Sequence, residues 1–138
     1  MEAIINAEEL IGVPFVDGGR NHKVGLDCYG LVMEVFRRCG IELEDYTISC
    51  SDASAINANI EKQKSKWRKV DFPPPVPSLI VMRFNQVVFC NHTGVYIGND
   101  RFIHTAEKMG VHIDSIQQSY WKRKIEGFYV PNWSDVSV

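Results

Sequence analysis

The pattern of apolar residues changes halfway along the chain, and this change limits the possible folds more than any other feature. Up to about residue 67 the apolar residues recur at helical spacing, whereas from Leu79 onward they form short segments bounded by turn residues. The prolines from Pro73 to Pro77 separate the two halves and cannot donate to the hydrogen-bond ladder of a central strand. Helices followed by strands are typical of the α+β class, so we expect N-terminal helices packed on a mostly antiparallel sheet of five or six strands.

The first half of the chain is predicted to form three helices. They cover residues 3–11, 28–39 and 52–67, where the apolar residues lie on one side of each helix. Gly12 and Gly40 follow the first two helices and are typical stop signals. The loop between these helices, FVDGGRNHKVGLD, is rich in glycine.

A basic run, KQKSKWRK from Lys62 to Lys69, ends the third predicted helix, which Ser51 or Asp52 could cap. Because Glu61 precedes the run and only Trp67 interrupts it, we interpret it as a solvated helix face. The net charge of −2 likewise gives no reason to expect nucleic acid as a partner.

The second half is predicted to form five strands and one short helix. The predicted strands cover residues 79–84, 87–98, 101–106, 110–114 and 126–131, and the short helix covers residues 115–122. A chain of 138 residues with 45% apolar residues can bury its own core as one domain. We therefore predict a single domain over residues 1–131, followed by a loose C-terminal tail at residues 132–138.

Several classes of protein are disfavoured by what the sequence lacks. No apolar stretch approaches the length of a membrane span, so we expect no membrane insertion. The acidic start, MEAIINAEEL, lacks the charged leader of a secretory signal, so we expect synthesis in the cytoplasm without a signal peptide. The four cysteines favour free thiols over a disulfide framework. Cys90 and His92 form only a weak zinc signal, and no metal or organic cofactor is predicted.

Cys28 stands where the glycine-rich loop gives way to the second predicted helix, and it has two interpretations. It falls on the apolar side of the helix, and free cysteine is among the most buried residue types, so it could be a packing residue. The first turn of a helix also offers unpaired N–H groups and a positive dipole end, which lower the pKa of a thiol and can bind an oxyanion. Taken alone, the position favours packing.

A thiol nucleophile needs a base, and two of the four histidines lie on consecutive predicted strands. His92 shares a strand face with Gly94 and Tyr96 by alternation, although a single histidine on a strand is more often structural. His104 lies on the next strand. A second imidazole there could accept the N–H of the first ring and stabilise its protonated form.

The predicted hairpin does not by itself bring these two histidines together. A two-residue turn at Asn99 and Asp100 would pair His104 with Val95 and place it on the face opposite His92. A three-residue loop would restore the face but leave the two histidines roughly 13 Å apart along the strand. A β-bulge or strong coiling of the sheet is therefore required.

The order of these features resembles the NlpC-type cell-wall cysteine peptidases, a papain-like superfamily of small α+β domains. The matching stretches run from LIGVPFVDGGR through GLDCYGL to RCGIEL, resume at NHTGVYIGNDRFIHTAEKMGV, and end at GFYVP. The resemblance leaves residues 49–77 as a variable insertion. It implies that Cys28 is the nucleophile, that His92 is the base and that His104 orients it.

The resemblance also implies a substrate, the peptidoglycan stem peptide, with the bond between D-γ-glutamate and diaminopimelate as the expected point of hydrolysis. Some residues depart from the family pattern. Phe15 stands where many members have a tyrosine that helps to hold the oxyanion, and Tyr29 stands where many have a serine. Asp27 has two interpretations, a helix cap or a partner for the amine of the substrate, and Asp17 is a weaker candidate for the wall of the groove.

The aromatic residue after the cysteine and the GGRN…GLDC loop are most similar to members associated with bacteriophage tails. This similarity predicts a virion-tail location and tail proteins as partners. Two alternatives remain open at the level of sequence. The first is a non-catalytic tail-assembly or wall-binding module, and the second is a wall amidase or another thiol acyl hydrolase on the same fold.

Overall fold

The computed structural model describes residues 6–46, 48–49, 52–83 and 91–132. The helices are α1 (Cys28–Arg38), α2 (Ala53–Gln63) and α3 (Ser119–Lys122), with short 3₁₀ helices at Ala7–Leu10 and Lys64–Lys66. The strands are β1 (Arg20–Asn21), β2 (Gly25–Leu26), β3 (Trp67–Val70), β4 (Ser78–Met82), β5 (His92–Gly98), β6 (Arg101–His104), β7 (His112–Ser115) and β8 (Ile125–Pro131). No helix within these ranges is long and apolar enough to cross a bilayer.

The main sheet has six strands in the order β3-β8-β4-β5-β6-β7, and every neighbouring pair is antiparallel. The predicted α+β class is therefore confirmed. Apolar residues alternate between the faces of the sheet and form two cores. The first core packs α1 against one face, and its strand residues are Leu79, Val81, Val95, Ile103 and Tyr129. The second core covers the other face and consists of Ile80, Met82, Tyr96, Phe102, Ile116 and Trp121.

Helix α1 is fixed at both ends by local interactions. Asp27 caps its N-terminus by accepting a hydrogen bond from the backbone N–H of Gly30 at 2.7 Å. Gly40 follows its C-terminus with φ 85°, a conformation that glycine adopts without a steric penalty. The helix therefore starts at Cys28, as predicted, and its position on the sheet follows from a fully buried stripe that includes Leu31, Val35 and Phe36.

Two predicted helices are shorter than expected. The part of the first helix that the structure describes is a single 3₁₀ turn, Ala7–Leu10. The third ends at Gln63, and the predicted solvated helix face is wrong from Trp67 to Lys69, because these residues belong to strand β3, which pairs with β8. Tertiary pairing with an open sheet edge outweighs local helix preference there. Asp52 caps α2 by accepting from the backbone N–H of Ala55, as predicted.

A β-bulge in the hairpin of β5 and β6 sets the register on which the two histidines depend. Asn99 and Asp100 form a two-residue turn, and both have positive φ. Gly98 pairs with Arg101, but the register then shifts so that Tyr96 pairs with Phe102 and Val95 with Ile103. Ile97 is the extra residue. Of the two alternatives that the sequence left open, a bulge or strong coiling, the bulge is present, and it places His104 opposite Gly94.

Candidate active site

Cys28 lies where the N-terminus of α1 meets the sheet, between two cavities. The first, here called the tyrosine cavity, is lined by Arg20, Asp27, Cys28, Tyr29, Tyr46 and Ile56 among others. The second, the histidine cavity, is lined by Phe15, Cys28, Ile56, Asn91, His92 and Thr105 among others. Cys28 and Ile56 line both cavities, so the two cavities adjoin at these residues. The tyrosine cavity and the histidine cavity together are here called the groove. Cys28 and His92 therefore lie in the same groove, and α2 contributes part of its wall.

The environment of Cys28 keeps its thiol protonated. Burial raises its pKa, and the negative charge of Asp27 raises it further. The side chain and backbone of Thr93 and the backbone of Tyr29 lower the pKa, but they do not compensate for the burial. The expectation of a lowered pKa at a helix start is therefore wrong, because desolvation exceeds the effect of the helix N-terminus at this position.

His92 and His104 form a hydrogen-bonded pair on the second core of the sheet. The Nε2 atom of His92 lies 3.0 Å from Nδ1 of His104, and the side chains are 3% and 0% exposed. Gly94 makes this approach possible, because a Cβ atom there would lie 3.0 Å from the carbonyl oxygen of Ile103 and 3.1 Å from Cβ of His104. The predicted pairing of the two imidazoles is thus observed.

Asp114 extends this pair to a third polar group. Its Oδ2 atom lies 2.8 Å from Nε2 of His104. Since a carboxylate only accepts hydrogen bonds, Nε2 of His104 is the nitrogen that carries hydrogen, and its Nδ1 accepts from Nε2 of His92. In the neutral ring of His92 the remaining nitrogen, Nδ1, then has a lone pair that can take a proton.

The two rings lie in an apolar, aromatic environment. Trp121 stacks on His92 at 6.3 Å between ring centroids and contacts His104 edge-on at 4.7 Å. Phe102 lies 4.5 Å from the ring of His104. Burial lowers the pKa of His92 well below its usual value, and the nearby histidines lower it further. Burial and His112 lower the pKa of His104 to about 3. Both rings are therefore neutral at rest.

Asp27 is fully engaged within the protein. Besides capping α1, its Oδ1 atom accepts from Nη1 of Arg20 at 2.7 Å, and its Oδ2 atom accepts from the backbone N–H of Gly18 at 3.1 Å. These two contacts hold the glycine-rich loop against the start of α1. The interpretation of Asp27 as a helix cap therefore agrees with its hydrogen bonds. Asp17, by contrast, is exposed, and its carboxylate accepts from the hydroxyl of Ser49 at 2.9 Å.

Phe15 and Tyr29 lie on opposite sides of Cys28 in the groove. Phe15 lines the histidine cavity, and its backbone bridges to Leu26. Tyr29 lines the tyrosine cavity, donates its hydroxyl hydrogen to the carbonyl of Glu44 at 2.6 Å and packs against the ring of Tyr46. Phe15 and Tyr29, both predicted from the sequence, thus line cavities that also contain Cys28. Their effects on a substrate stay predictions.

Sequence reasoning missed two residues of this site. Thr93, next to His92, contacts the sulfur of Cys28, and its buried hydroxyl oxygen forms no regular hydrogen bond. The sequence predicted Asp114 only as the last residue of a strand. The alternation in GVHID could have indicated more, because it places His112 and Asp114 on the same face of that strand. In the structure β7 pairs with β6, and His112 lies opposite His104. Cys90 lies outside the described residues.

The fold and groove together define a class of small α+β protein in which a cysteine at a helix start and a histidine on an antiparallel sheet line one groove. The model of the NlpC/P60 family matches residues 12–130. The chain belongs to the NlpC/P60 family.

Curated relatives agree with this assignment. The chain is 33% identical over 123 residues to the gamma-DL-glutamyl hydrolase of Bacillus subtilis, covering 88% of this chain and 27% of that protein. It is 32% identical over 114 residues to the murein DD-endopeptidase MepS/murein LD-carboxypeptidase of Escherichia coli K12, covering 82% of this chain and 53% of that protein. The chain thus spans between about a quarter and a half of the length of these relatives.

Solved structures share the fold. The NlpC/p60 domain of the peptidoglycan hydrolase SagA superposes with a TM-score of 0.61 at 21% identity, covering 94% of this chain and 95% of that one. An NlpC/P60 family protein from Bacillus cereus superposes with a TM-score of 0.65 at 20% identity, covering 92% of this chain and 38% of that one. At these identities the likeness concerns the fold.

Proposed function

We propose that the protein is a cysteine peptidase that hydrolyses a peptide bond in the stem of peptidoglycan, with the bond between D-γ-glutamate and diaminopimelate as its target. One observation carries the proposal: Cys28 and His92 line the same groove, where His92 contacts His104 and His104 contacts Asp114 in an arrangement that suits a base. The names of the relatives, a gamma-DL-glutamyl hydrolase and a murein endopeptidase, support this substrate class.

In the proposed reaction the resting pair is a neutral thiol and a neutral imidazole, because burial raises the pKa of Cys28 and lowers that of His92. Substrate binding brings the scissile carbonyl to the sulfur. Nδ1 of His92 then takes the thiol proton as the sulfur attacks the carbonyl carbon. The imidazolium of His92 donates from Nε2 to Nδ1 of His104, and His104 donates in turn to Asp114, so the carboxylate stabilises the charge through His104.

The backbone N–H of Cys28 at the helix start is the proposed oxyanion donor, because Phe15 has no hydroxyl to supply a second. His92 then protonates the amine that leaves, and a thioester with the first half of the substrate remains. Water, deprotonated by His92, hydrolyses this thioester and restores the thiol. The steps use only groups of this chain and water.

The groove offers contacts on both sides of the nucleophile. Tyr29 and Asp27 line it on one side, and Phe15 lines it on the other. We propose that Tyr29 narrows the site for the stem peptide and that Asp27 provides negative charge near a substrate amine. Asp17 is proposed as part of the outer wall. Association with a phage tail stays a prediction from the sequence pattern alone.

Phe15 favours one alternative function. Without a hydroxyl at this position the site has fewer oxyanion donors than the family pattern supplies, which would suit a weakly catalytic module that binds the wall or assembles in a tail. The alternative predicts binding to sacculi without release of peptides. An amidase or another acyl hydrolase would use the same thiol and differ in the bond that is cut.

The test is mass spectrometry of fragments released from purified sacculi by the wild type, by Cys28→Ala and by Cys39→Ala. Cys39 is the control because it is a half-buried free thiol at the other end of α1. Release by the wild type and Cys39→Ala, but not by Cys28→Ala, would support the proposal, and the fragment masses would identify the bond. Binding without release by any of the three would support the non-catalytic alternative.

A further inference from the structure

Three side chains beside the proposed base converge on one point. One ligand atom from each of His104, His112 and Asp114 lies within 4.8 Å of the other two. The carboxylate oxygen is 2.8 Å from His104 and 3.1 Å from His112. His104 is fully buried, whereas the side chains of His112 and Asp114 are 25% and 22% exposed, so two of the three side chains are partly accessible to solvent.

When the ring of His112 is neutral, no hydrogen lies between its Nε2 atom and the carboxylate of Asp114. Nδ1 of His112 lies 2.9 Å from the carbonyl oxygen of Gly110, and a carbonyl only accepts, so the ring hydrogen is on Nδ1. Nε2 then presents a lone pair toward a carboxylate oxygen, and it is a buried nitrogen without a hydrogen-bond partner. Two acceptors at 3.1 Å repel each other unless a proton or a metal cation lies between them.

We propose that His104, His112 and Asp114 form a binding site for a divalent transition metal, with Zn²⁺ as the best match. Two imidazole nitrogens and one carboxylate oxygen are a donor set that Zn²⁺ accepts, whereas Mg²⁺ and Ca²⁺ prefer oxygen ligands. Zinc bonds of about 2.0–2.2 Å in a tetrahedral arrangement separate the ligand atoms by roughly 3.3 Å, close to the 2.8 Å and 3.1 Å from Asp114 to the two histidines. Three protein ligands leave a fourth position for water.

Occupation of this site would switch off the proposed base. A metal on Nε2 of His104 requires the ring hydrogen to be on Nδ1, which then donates to Nε2 of His92. The hydrogen of His92 must therefore be on Nδ1, where no lone pair is left for the proton of Cys28. Each ring keeps one hydrogen, so no proton is gained or lost overall. Metal binding is thus predicted to inhibit hydrolysis, and this consequence rests on the proposed function.

The binding test does not depend on activity. Protein without a histidine tag, stripped of metal by a chelator, is titrated with Co²⁺ and Zn²⁺ while the absorption of bound Co²⁺ is recorded. We expect one site per chain in the wild type and in Cys28→Ala, with the spectrum of nitrogen and oxygen ligands and without a thiolate charge-transfer band. His112→Ala should weaken binding on the order of a hundredfold or more. His22→Ala, which removes a partly exposed histidine near Glu34, is the matched control and should bind normally.

Inhibition is measured on the same variants, each relative to its own metal-free rate. We expect Zn²⁺ to inhibit the wild type and His22→Ala, and His112→Ala to need at least about tenfold more Zn²⁺. If His112→Ala does not fold, as judged by circular dichroism, His112→Gln replaces it. Mg²⁺ at the same concentration controls for charge alone and should leave the rate unchanged.

The remaining outcomes separate the two proposals. Absence of a bound metal in the wild type would overturn the metal site. Binding that is lost in Cys28→Ala but kept in His112→Ala would also overturn it, because the thiol would then be the ligand. A protein that binds Co²⁺ through His112 but releases nothing from sacculi would keep the metal site and refute the proposed hydrolase.

Discussion

The two sides of the candidate site are built in different ways. The thiol side is local and polar: Cys28 follows its own helix cap, and Asp27 ties that cap to Arg20 and Gly18. The histidine side is assembled from three strands and is buried against aromatic rings. The two members of a candidate reactive pair therefore need not share an environment. The position of the thiol is set by nearby sequence, whereas the position of the proposed base depends on the register of the sheet.

The largest expected effect tests the histidine side. Asp114→Ala removes the carboxylate that holds His104 in one tautomer, and we expect kcat to fall by about a hundredfold while KM changes little. Steady-state kinetics on a stem peptide with a chelator present measures this effect without interference from metal. Asp71→Ala, which removes an exposed aspartate, is the control. A fall of less than threefold would mean that the two histidines keep their tautomers without Asp114.

The next prediction concerns the missing hydroxyl at Phe15, in the histidine cavity. Phe15→Tyr adds a donor beside Cys28, and we expect kcat to rise by about tenfold because a second group can then stabilise the oxyanion. Phe15→Leu keeps the site apolar and should give no rise. An unchanged rate in Phe15→Tyr would show that the oxyanion lies elsewhere in the groove.

A smaller effect isolates the charge next to the thiol. Asp27→Asn keeps an oxygen for the helix cap but removes the negative charge that raises the pKa of Cys28. The pKa of Cys28 should therefore fall in this variant, because the thiolate no longer lies next to a negative charge. We expect iodoacetamide to alkylate Cys28 several-fold faster at neutral pH and the pH profile to move downward.

The matched control for this charge is Asp45→Asn, which removes the other carboxylate bound to Arg20, at 2.8 Å. Its alkylation profile should stay that of the wild type. A shift of equal size in both variants would indicate that movement of Arg20, and not the charge of Asp27, controls the thiol.

The smallest effect concerns the acid stability of α1. Burial raises the pKa of Glu34, but the hydrogen bond from Arg38 and the charges of Arg37 and Arg38 lower it below its usual 4.5 overall. Its contribution to stability is therefore complete above about pH 4.5 and is lost as the pH falls through the folded pKa. Between about pH 5 and pH 3, Glu34→Gln should lose a few degrees less in Tm than the wild type. Glu42→Gln, an exposed partner of Arg37, should behave like the wild type.

The parts of the molecule that local chemistry determines could be predicted from the sequence. Helix α1, its cap and its glycine stop were predicted to within a residue, because capping and helical spacing act over a few positions. Strand β3 was missed because its four residues become a strand only by pairing with β8, which is about 60 residues further along the chain.

The candidate site also has a part that could be predicted and a part that could not. Cys28 and His92 lie in one groove, as predicted, and His104 contacts His92. The contact between the two histidines was predicted from the family resemblance, because residue spacing alone did not bring them together. The contact of Asp114 with His104 could not be predicted from the sequence, because it depends on how β7 pairs with β6. The pKa of Cys28 was predicted in the wrong direction because burial depends on the whole fold, whereas the helix dipole can be read locally.

The extra residue at Ile97 has a consequence for how such a sequence can change over time. Deleting Ile97 would close the bulge and leave Gly94 opposite His104, so the hairpin tolerates that loss. Deleting Ile103 would instead bring His104 opposite Val95 and turn it toward the other face of the sheet, because side chains alternate along a strand. The fold would survive while the proposed base lost its support. A single-codon deletion within β6 is therefore a short mutational route from a hydrolase to a protein of the same shape that only binds.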